Sequence, residues 1–388
     1  MARLYSFQGN HYLMLQCSNF ADICRDNELT FFTGVPDSTY KSWMSFLEED
    51  HPEFTNVPTV NECEATAVAA GYHLATGKYP VIYMQNSGFG KTVNPLTSLC
   101  GPDIYRIPAL LMIGWRGEPG KPEAHQHRQI GRIMTDLLDL LDVRHAILSE
   151  DTNEAREQVR EAVNYMKTEN LPYALVIRKG VFEPLEAKPK RESDLMSREE
   201  AIFAILEHIT DEDILVSTTG KTSRELHEAC QDLGRTAQNR FYNPGGMGCA
   251  PSIALGIALQ KPTSKVFTMD GDGALLMQMG ALATIGTQQP ANFHHILFDN
   301  HAHESTGGQI NNSGAVDFRS LAKSCGYKGA LIVHSKDELS AVFPEFAKVD
   351  GPVMLVVKIR TGSRANLSRP EEPLEIKRKF MEHLERLS

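Results

Sequence analysis

Short apolar runs alternate with longer helical patterns along the whole chain. In the first half, residues 29–32, 57–60, 81–84, 109–113 and 173–177 are compact apolar stretches bounded by turn residues, and they read as buried strands. Between them, Ser38 stands as a helix N-cap for 41–49, a helix of small residues occupies 63–75, and a charged amphipathic helix runs over 150–168. The second half restarts at Ser197-Arg-Glu-Glu200, a capping-box pattern that opens a helix over 201–208. Strands follow at 214–217, 265–269, 294–298, 331–333 and 353–357, with helix-length segments at 250–259 and 274–288 and a polar, charge-dense helical tail. Strand–helix alternation in both halves predicts an α/β protein of two doubly wound parallel-sheet domains. The composition between residues 183 and 196 turns polar and Pro-rich, so domains are expected at 1–182 and 197–388 with a linker between them.

Composition narrows the classes. A length of 388 residues suits two or three domains, and a net charge of −10 argues against nucleic acid as a partner. No apolar run reaches the ~20 residues a membrane helix needs. Seven cysteines, an odd number with no CxxC, read as reduced thiols and lead to the expectation of a cytoplasmic protein.

The chemistry concentrates at Gly271-Asp272-Gly273 and Asp299-Asn300, each closing an apolar run, with the 25 residues 274–298 between them. Parallel neighbouring strands deliver both polar ends to one sheet edge, where α/β ligands bind. An acidic and an amide oxygen beside a glycine-rich turn suit a hard cation bridging a phosphate. Asn243-Pro-Gly-Gly-Met-Gly248 precedes the 250–259 helix and permits close backbone approach to a ligand, although a tight structural turn would use the same residues. Asn61-Glu62-Cys63-Glu64 opens the small-residue helix directly after a strand and offers two carboxylates. The His125/His127 and His301/His303 pairs have metal-type spacing, but no further spaced ligand supports zinc.

These motifs resemble the thiamin-diphosphate-dependent 2-oxoacid decarboxylases, whose signature is GDG followed by NN; here Asp299 stands for the first Asn. The resemblance implies a pyrimidine-binding domain followed by a diphosphate-binding domain, both of the thiamin diphosphate-binding fold, with no middle domain. It implies thiamin diphosphate and Mg²⁺ as cofactors, the metal held by Asp272, Asn300 and the carbonyl of Ala302. Gly271, Gly273, Gly245 and Met247 then contact the cofactor. Glu62 becomes the carboxyl that activates the aminopyrimidine, and Glu64 a helix-terminus partner. In that family the carboxyl and the diphosphate site come from different subunits, so a homodimer or larger assembly is expected.

Gly34-Val-Pro-Asp-Ser38, Gln85-Asn-Ser-Gly88, Asn94-Pro-Leu-Thr-Ser98, Arg116-Gly-Glu-Pro-Gly120 and His303-Glu-Ser-Thr-Gly-Gly-Gln309 narrow the resemblance to the phosphonopyruvate decarboxylases. The implied reaction is loss of CO₂ from 3-phosphonopyruvate to give phosphonoacetaldehyde, by way of a thiamin ylid and an enamine. Ser38, Asn86, Ser87, Arg116, Ser305 and Thr306 are then candidate substrate donors, with Lys91 read as surface-exposed and Arg116 alternatively as a brace for Glu118. Asp37 is a proton carrier or loop organiser, and His303 a proton relay near pH 7. His301 stands where the family commonly has Gly. Decarboxylation of sulfopyruvate or another 2-oxoacid, acyloin-forming carboligation, and cofactor binding without catalysis are the alternatives.

Overall fold

In a computed structural model, residues 14–49, 51–185, 193–370 and 372–387 are described. The chain divides into two compact units, Met1–Ala187 and Lys188–Ser388. Half of the linker expected at 183–196, namely 186–192, lies outside the described residues.

The first unit is built on six strands: β1 (Phe31–Gly34), β2 (Thr55–Pro58), β3 (Val81–Gln85), β4 (Leu110–Gly114), β5 (Arg144–Ile147) and β6 (Tyr173–Ile177). They pair in parallel in the order β2-β1-β3-β4-β6-β5. Alternate residues of the central strands enter two different cores. Leu110, Met112, Tyr83 and Leu175 pack with Phe20, Trp43 and Val159 on one face. Leu111, Ile113, Ile82 and Val176 pack with Ala65, Ala69 and Leu138 on the other. Burial on both faces explains why these strands read as unbroken apolar runs.

Two local differences from the expected pattern matter for the site. Ser38 does not cap the following helix: Ser38–Tyr40 is a 3₁₀ turn, and Asp37 caps it by accepting from Thr39 N at 2.9 Å. Asp and Ser are comparable N-caps, and the earlier residue takes the role. The small-residue helix begins one residue early, at Glu62, because Asn61 accepts from Glu64 N. Its buried side, Ala65, Thr66, Ala69 and Ala70, consists of small residues, which permits close packing.

The second unit carries β7 (Ile214–Ser217), β8 (Arg240–Tyr242), β9 (Val266–Gly271), β10 (Phe293–Asp299), β11 (Ala302–His303), β12 (Gln309–Ile310), β13 (Gly329–Val333) and β14 (Val353–Lys358). Six form a parallel sheet in the order β13-β14-β10-β9-β7-β8, and β11 with β12 makes a short antiparallel ribbon. Strands β9 and β10 are direct neighbours in register from Val266↔Phe293 to Gly271↔Phe298. Their C-terminal ends therefore emerge side by side. The 274–288 segment is two helices, Asp272–Met277 and Gly280–Gln288, with Gln278 outside helical geometry. The first is buried on every side and the second only along Leu282, Ile285 and Gly286. The Ser197 capping box forms as expected, with Glu200 reaching back to Ser197 N.

Gly286 shows which force dominates at a helix contact. Alanine there would gain about 1 kcal/mol of helix propensity. However, its Cβ would overlap the Cys325 backbone carbonyl. Sterics win, so Gly286→Ala should lower stability by about 1–3 kcal/mol, read as a fall in the urea midpoint at unchanged slope.

Candidate functional site

At the C-terminal edge of the second sheet, Asp272 leaves β9 and starts the next helix. Its carboxylate is buried. Oδ1 accepts from Gly273 N at 2.8 Å, while Oδ2 accepts from His301 N at 2.8 Å, Asn311 Nδ2 at 3.0 Å and Ser313 Oγ at 3.0 Å. Burial, with Asp299 adding to it, pushes this acid up to about 6 against those hydrogen bonds. A cation beside it would restore the charged form.

Asp272, Asp299 and His301 place one potential ligand atom each within 4.8 Å of one another. Asp299, however, already has a cation, because Lys358 Nζ pairs with its Oδ2 and His301 Nδ1 lies 3.2 Å from Oδ1. An open pocket lies next to the cluster. It is lined by Gly271, Asp272, Gly273, Asn300, Ala302, His303, Ser305 and Met247, and not by Asp299 or His301. The residues that the sequence suggested for cation and phosphate are thus brought together. Gly245 is not in the lining; its N–H donates to Asn243 Oδ1 at 3.4 Å. Thr306 is also outside the lining, and its hydroxyl bonds within the loop, 3.0 Å from His303 O and 2.9 Å from Gln309 Oε1.

Arg198, Lys221 and Glu304 also line the pocket, and sequence reasoning missed all three as site residues. Lys221 follows Gly220 at the end of β7, which neighbours β9, so the same strand-end logic could have found it. Glu304 is held below its ordinary range: burial would raise it, but Arg198 and Lys221 outweigh burial. Burial also drives the His303 imidazole down to about 4, which keeps it neutral at pH 7. A Cβ on Gly273 would meet His303 Cε1 at 2.8 Å, so the glycine makes room for that ring.

In the first unit, Glu62 is buried at the helix start. Among the described residues its Oε2 has no hydrogen-bond partner, and Lys91 Nζ, also without one, lies 3.8 Å away. Burial raises the Glu62 acid, with Lys91 opposing. Lys91 is therefore not the exposed side chain expected, because its ammonium turns inward to this acid. A Cβ on Gly88 would collide with the Glu62 carboxyl, which explains the glycine of the Gln85-Asn-Ser-Gly88 motif. Glu64 is exposed and caps the helix by accepting from Val60 N at 3.0 Å.

The neighbouring polar cluster is fully engaged. Asp37, completely buried, accepts from Thr39 N and from Gln85 Nε2, and Ser87 Oγ donates to Gln85. Arg116 makes a bidentate pair with Glu123 at 2.7 and 2.8 Å and donates to Ser38 Oγ at 3.2 Å. Asn86 holds the Arg116 backbone on both sides, at 2.7 and 3.2 Å. The acidic partner of Arg116 is Glu123, while Glu118 pairs with Lys121 and Arg178. Planar fork geometry favours such two-point carboxylate pairing.

Comparison with known proteins agrees in both units. Residues 18–138 match the N-terminal TPP-binding domain of thiamine pyrophosphate enzymes, and 219–357 match their C-terminal TPP-binding domain. A phosphonopyruvate decarboxylase from Streptomyces viridochromogenes is 37% identical over 369 residues, 91% of this chain and 90% of that one. The chain belongs to the thiamin-diphosphate-dependent decarboxylases. Another phosphonopyruvate decarboxylase, from Streptomyces hygroscopicus, is also 37% identical, over 91% of this chain and 90% of its own length. A sulfopyruvate decarboxylase from Methanosarcina acetivorans is 26% identical over 94% of this chain and 96% of its own. As in other members of the family, the cofactor is thiamin diphosphate, normally taken with Mg²⁺. The residues present suit both: a buried acid in need of a cation lines an open pocket, and a second buried carboxyl keeps one oxygen unpaired. No helix among the described residues is long and apolar enough to cross a membrane.

Glu123 gives a pH test of the loop. Hydrogen bonds from Arg116, against burial, hold its acid down at about 2. A depressed carboxylate contributes stability that is present above the unfolded value, about 4.3, and is lost as pH falls towards 2. Glu123→Gln should therefore lower stability at pH 7 and flatten the acid limb between those values, measured by urea unfolding at stepped pH.

Proposed function

We propose that this chain decarboxylates 3-phosphonopyruvate to phosphonoacetaldehyde and CO₂. The observation that carries the reaction type is Glu62, a buried carboxyl with an unpartnered oxygen at the start of a small-residue helix. The substrate rests on the stronger likeness to phosphonopyruvate decarboxylases than to the sulfopyruvate enzyme, 37% against 26% identity.

Bound thiamin diphosphate supplies the carbon nucleophile and the electron sink for decarboxylation. Glu62 would hold the proton at N1′ of the aminopyrimidine, a task that needs an acid kept from water. Asp272, Asn300 Oδ1 and the carbonyl of Ala302 would hold Mg²⁺. Gly271 and Gly273 would admit the diphosphate closely, and Gly245 and Met247 would support the pyrimidine. Ser38, Ser87, Arg116 and Ser305 would orient the substrate's anionic groups, with Asn86 holding Arg116 by its backbone and Thr306 shaping the loop. His303, neutral at pH 7, would donate or accept one hydrogen bond. Asp37 would organise the loop around Gln85 and Thr39, the role that its contacts support over that of a proton carrier.

The domains are assigned as 1–182 and 197–388 with 183–196 as linker, and the chain is taken to self-associate as a homodimer or larger. Sulfopyruvate is the second reading, favoured by the alignment over 94% of the chain with an enzyme of that name. Both substrates would place a strong anion beside a 2-oxo acid.

Protein stripped of thiamin diphosphate and Mg²⁺ should lose activity and regain it when both return. Activity indifferent to the cofactor would overturn the proposal. Comparing kcat/KM for phosphonopyruvate, sulfopyruvate and pyruvate should rank phosphonopyruvate first. Glu62→Gln should cut kcat by about 10²-fold or more with circular dichroism unchanged; turnover near wild type would move the role elsewhere.

A further inference from the structure

Four segments of the second unit converge on one buried carboxylate, Glu304. Its Oε2 accepts from Arg198 Nη2 at 2.8 Å and from Asn300 Nδ2 at 3.2 Å. Its Oε1 accepts from Gly362 N at 2.5 Å, and Lys221 Nζ lies 3.6 Å away. These donors come from the start of the helix Arg198–Leu206, the start of the helix Lys221–Asp232, the turn after β10 and the segment after β14. Arg198 is itself buried and is shared with Glu225 Oε2 at 2.5 Å.

The chemistry of the partners fixes one orientation. An ionised carboxylate only accepts hydrogen bonds, so Asn300 must turn its NH₂ towards Glu304. Its carbonyl oxygen then points the other way, where it accepts from Ala302 N at 3.1 Å. A hard cation binds amide oxygen and not amide nitrogen. A flipped Asn300 would present the wrong atom.

We propose that Glu304 is a positioning residue for the cation site, fixing the Asn300 amide so that its oxygen, which keeps a second lone pair beside the Ala302 N–H, faces the metal, and holding the Lys221 ammonium at the rim of the same pocket. This rests on the reading of Asp272, Asn300 and Ala302 as the Mg²⁺ set. Groups that orient metal ligands commonly govern affinity by about 10–100-fold. Glutamine is close in shape but cannot replace Glu304. It has one acceptor oxygen where two are used, and its NH₂ would face either Gly362 N or the Arg198 and Asn300 donors.

The test uses the full chain and reads binding apart from turnover. Calorimetry gives the Mg²⁺ concentration at which thiamin diphosphate binding is half-maximal. Glu304→Gln should raise that concentration by about 10–100-fold, and kcat should recover at saturating Mg²⁺. A role limited to holding Arg198 would instead lower the thermal midpoint of the cofactor-free protein and leave the Mg²⁺ requirement of the folded fraction unchanged. That outcome, or a kcat deficit that Mg²⁺ does not repair, overturns the proposal.

A charge swap covers the case in which Glu304→Gln folds poorly. Asn300→Asp sets two carboxylates face to face and should weaken Mg²⁺ binding. Adding Glu304→Gln to it restores a donor–acceptor pair and should recover part of the loss; no recovery counts against the proposal. Asp272→Asn separates the two readings. If it leaves the Mg²⁺ requirement unchanged, the metal assignment falls; if it weakens Mg²⁺ binding and Glu304→Gln does not, only the role of Glu304 falls.

Discussion

The Asp272 carboxylate organises the second unit's site. It is buried at the end of a central strand, where an unpaired charge would be costly. The fold meets that demand by bringing donors to it: His301 N from one side of the ribbon, and Asn311 and Ser313 from the other. The chain from 300 to 313 is thus tied at both ends to one acid, with the β11–β12 ribbon between the ties. This geometry exists only because β9 and β10 are parallel neighbours in a register that ends both strands together. Once that register is set, Asn300, Ala302 and His303 have little choice but to face the same pocket as Gly271 and Gly273.

The acids of the chain are partnered differently, and the difference tracks chemistry. Glu225 and Glu304 share Arg198, and Glu123 is clasped by Arg116 at two points. Close cations hold Glu304 and Glu123 below the ordinary carboxylate range, while burial raises Glu225 against the pull of Arg198. Glu62 has only an ammonium 3.8 Å away and one oxygen with no hydrogen bond. Leaving a buried acceptor unmade costs about 1–3 kcal/mol. A helix start can be capped without that cost, as Asn61 does one residue earlier by accepting from Glu64 N. The unpaired oxygen is the feature on which the proposed role of Glu62 rests.

The parts legible in the sequence were those written locally. Strands β6 and β7 fall on the expected residues because both are buried along their whole length and bounded by turn residues. Glu62, Asp272, Asn300 and the glycines lie at strand ends or helix starts, where short motifs record geometry directly. Strand β5 was missed because it lies at a sheet edge and is only partly buried, so Arg144 and His145 mask its pattern. Strand β8 is the other unit's edge strand, only three residues long. The convergence of Arg198, Lys221 and Glu304 spans more than a hundred residues of chain and leaves no local trace. The inward turn of Lys91 is likewise tertiary, since a lysine after glycine at a helix start reads as exposed until a buried acid is placed opposite it.

His301 shows how a departure from a family pattern can be accommodated. Its φ of 57° lies in the left-handed region, where glycine is favoured and other residues pay roughly 1–2 kcal/mol. The side chain returns something for that strain. Nδ1 sits 2.7 Å from Ser313 Oγ and 3.2 Å from Asp299 Oδ1, and Nε2 is 3.5 Å from Lys358 Nζ. A glycine would relax the backbone but leave those groups to one another. The imidazole therefore ties Asp299 and Ser313 together, and none of the three lines the pocket. Asp299 in place of the family's Asn belongs to the same adjustment. Its second oxygen takes Lys358, so the extra negative charge is neutralised within the protein and does not compete with Asp272 for a cation. The two departures, His301 and Asp299, are in contact, and neither lines the pocket that Asp272, Asn300 and Ala302 share.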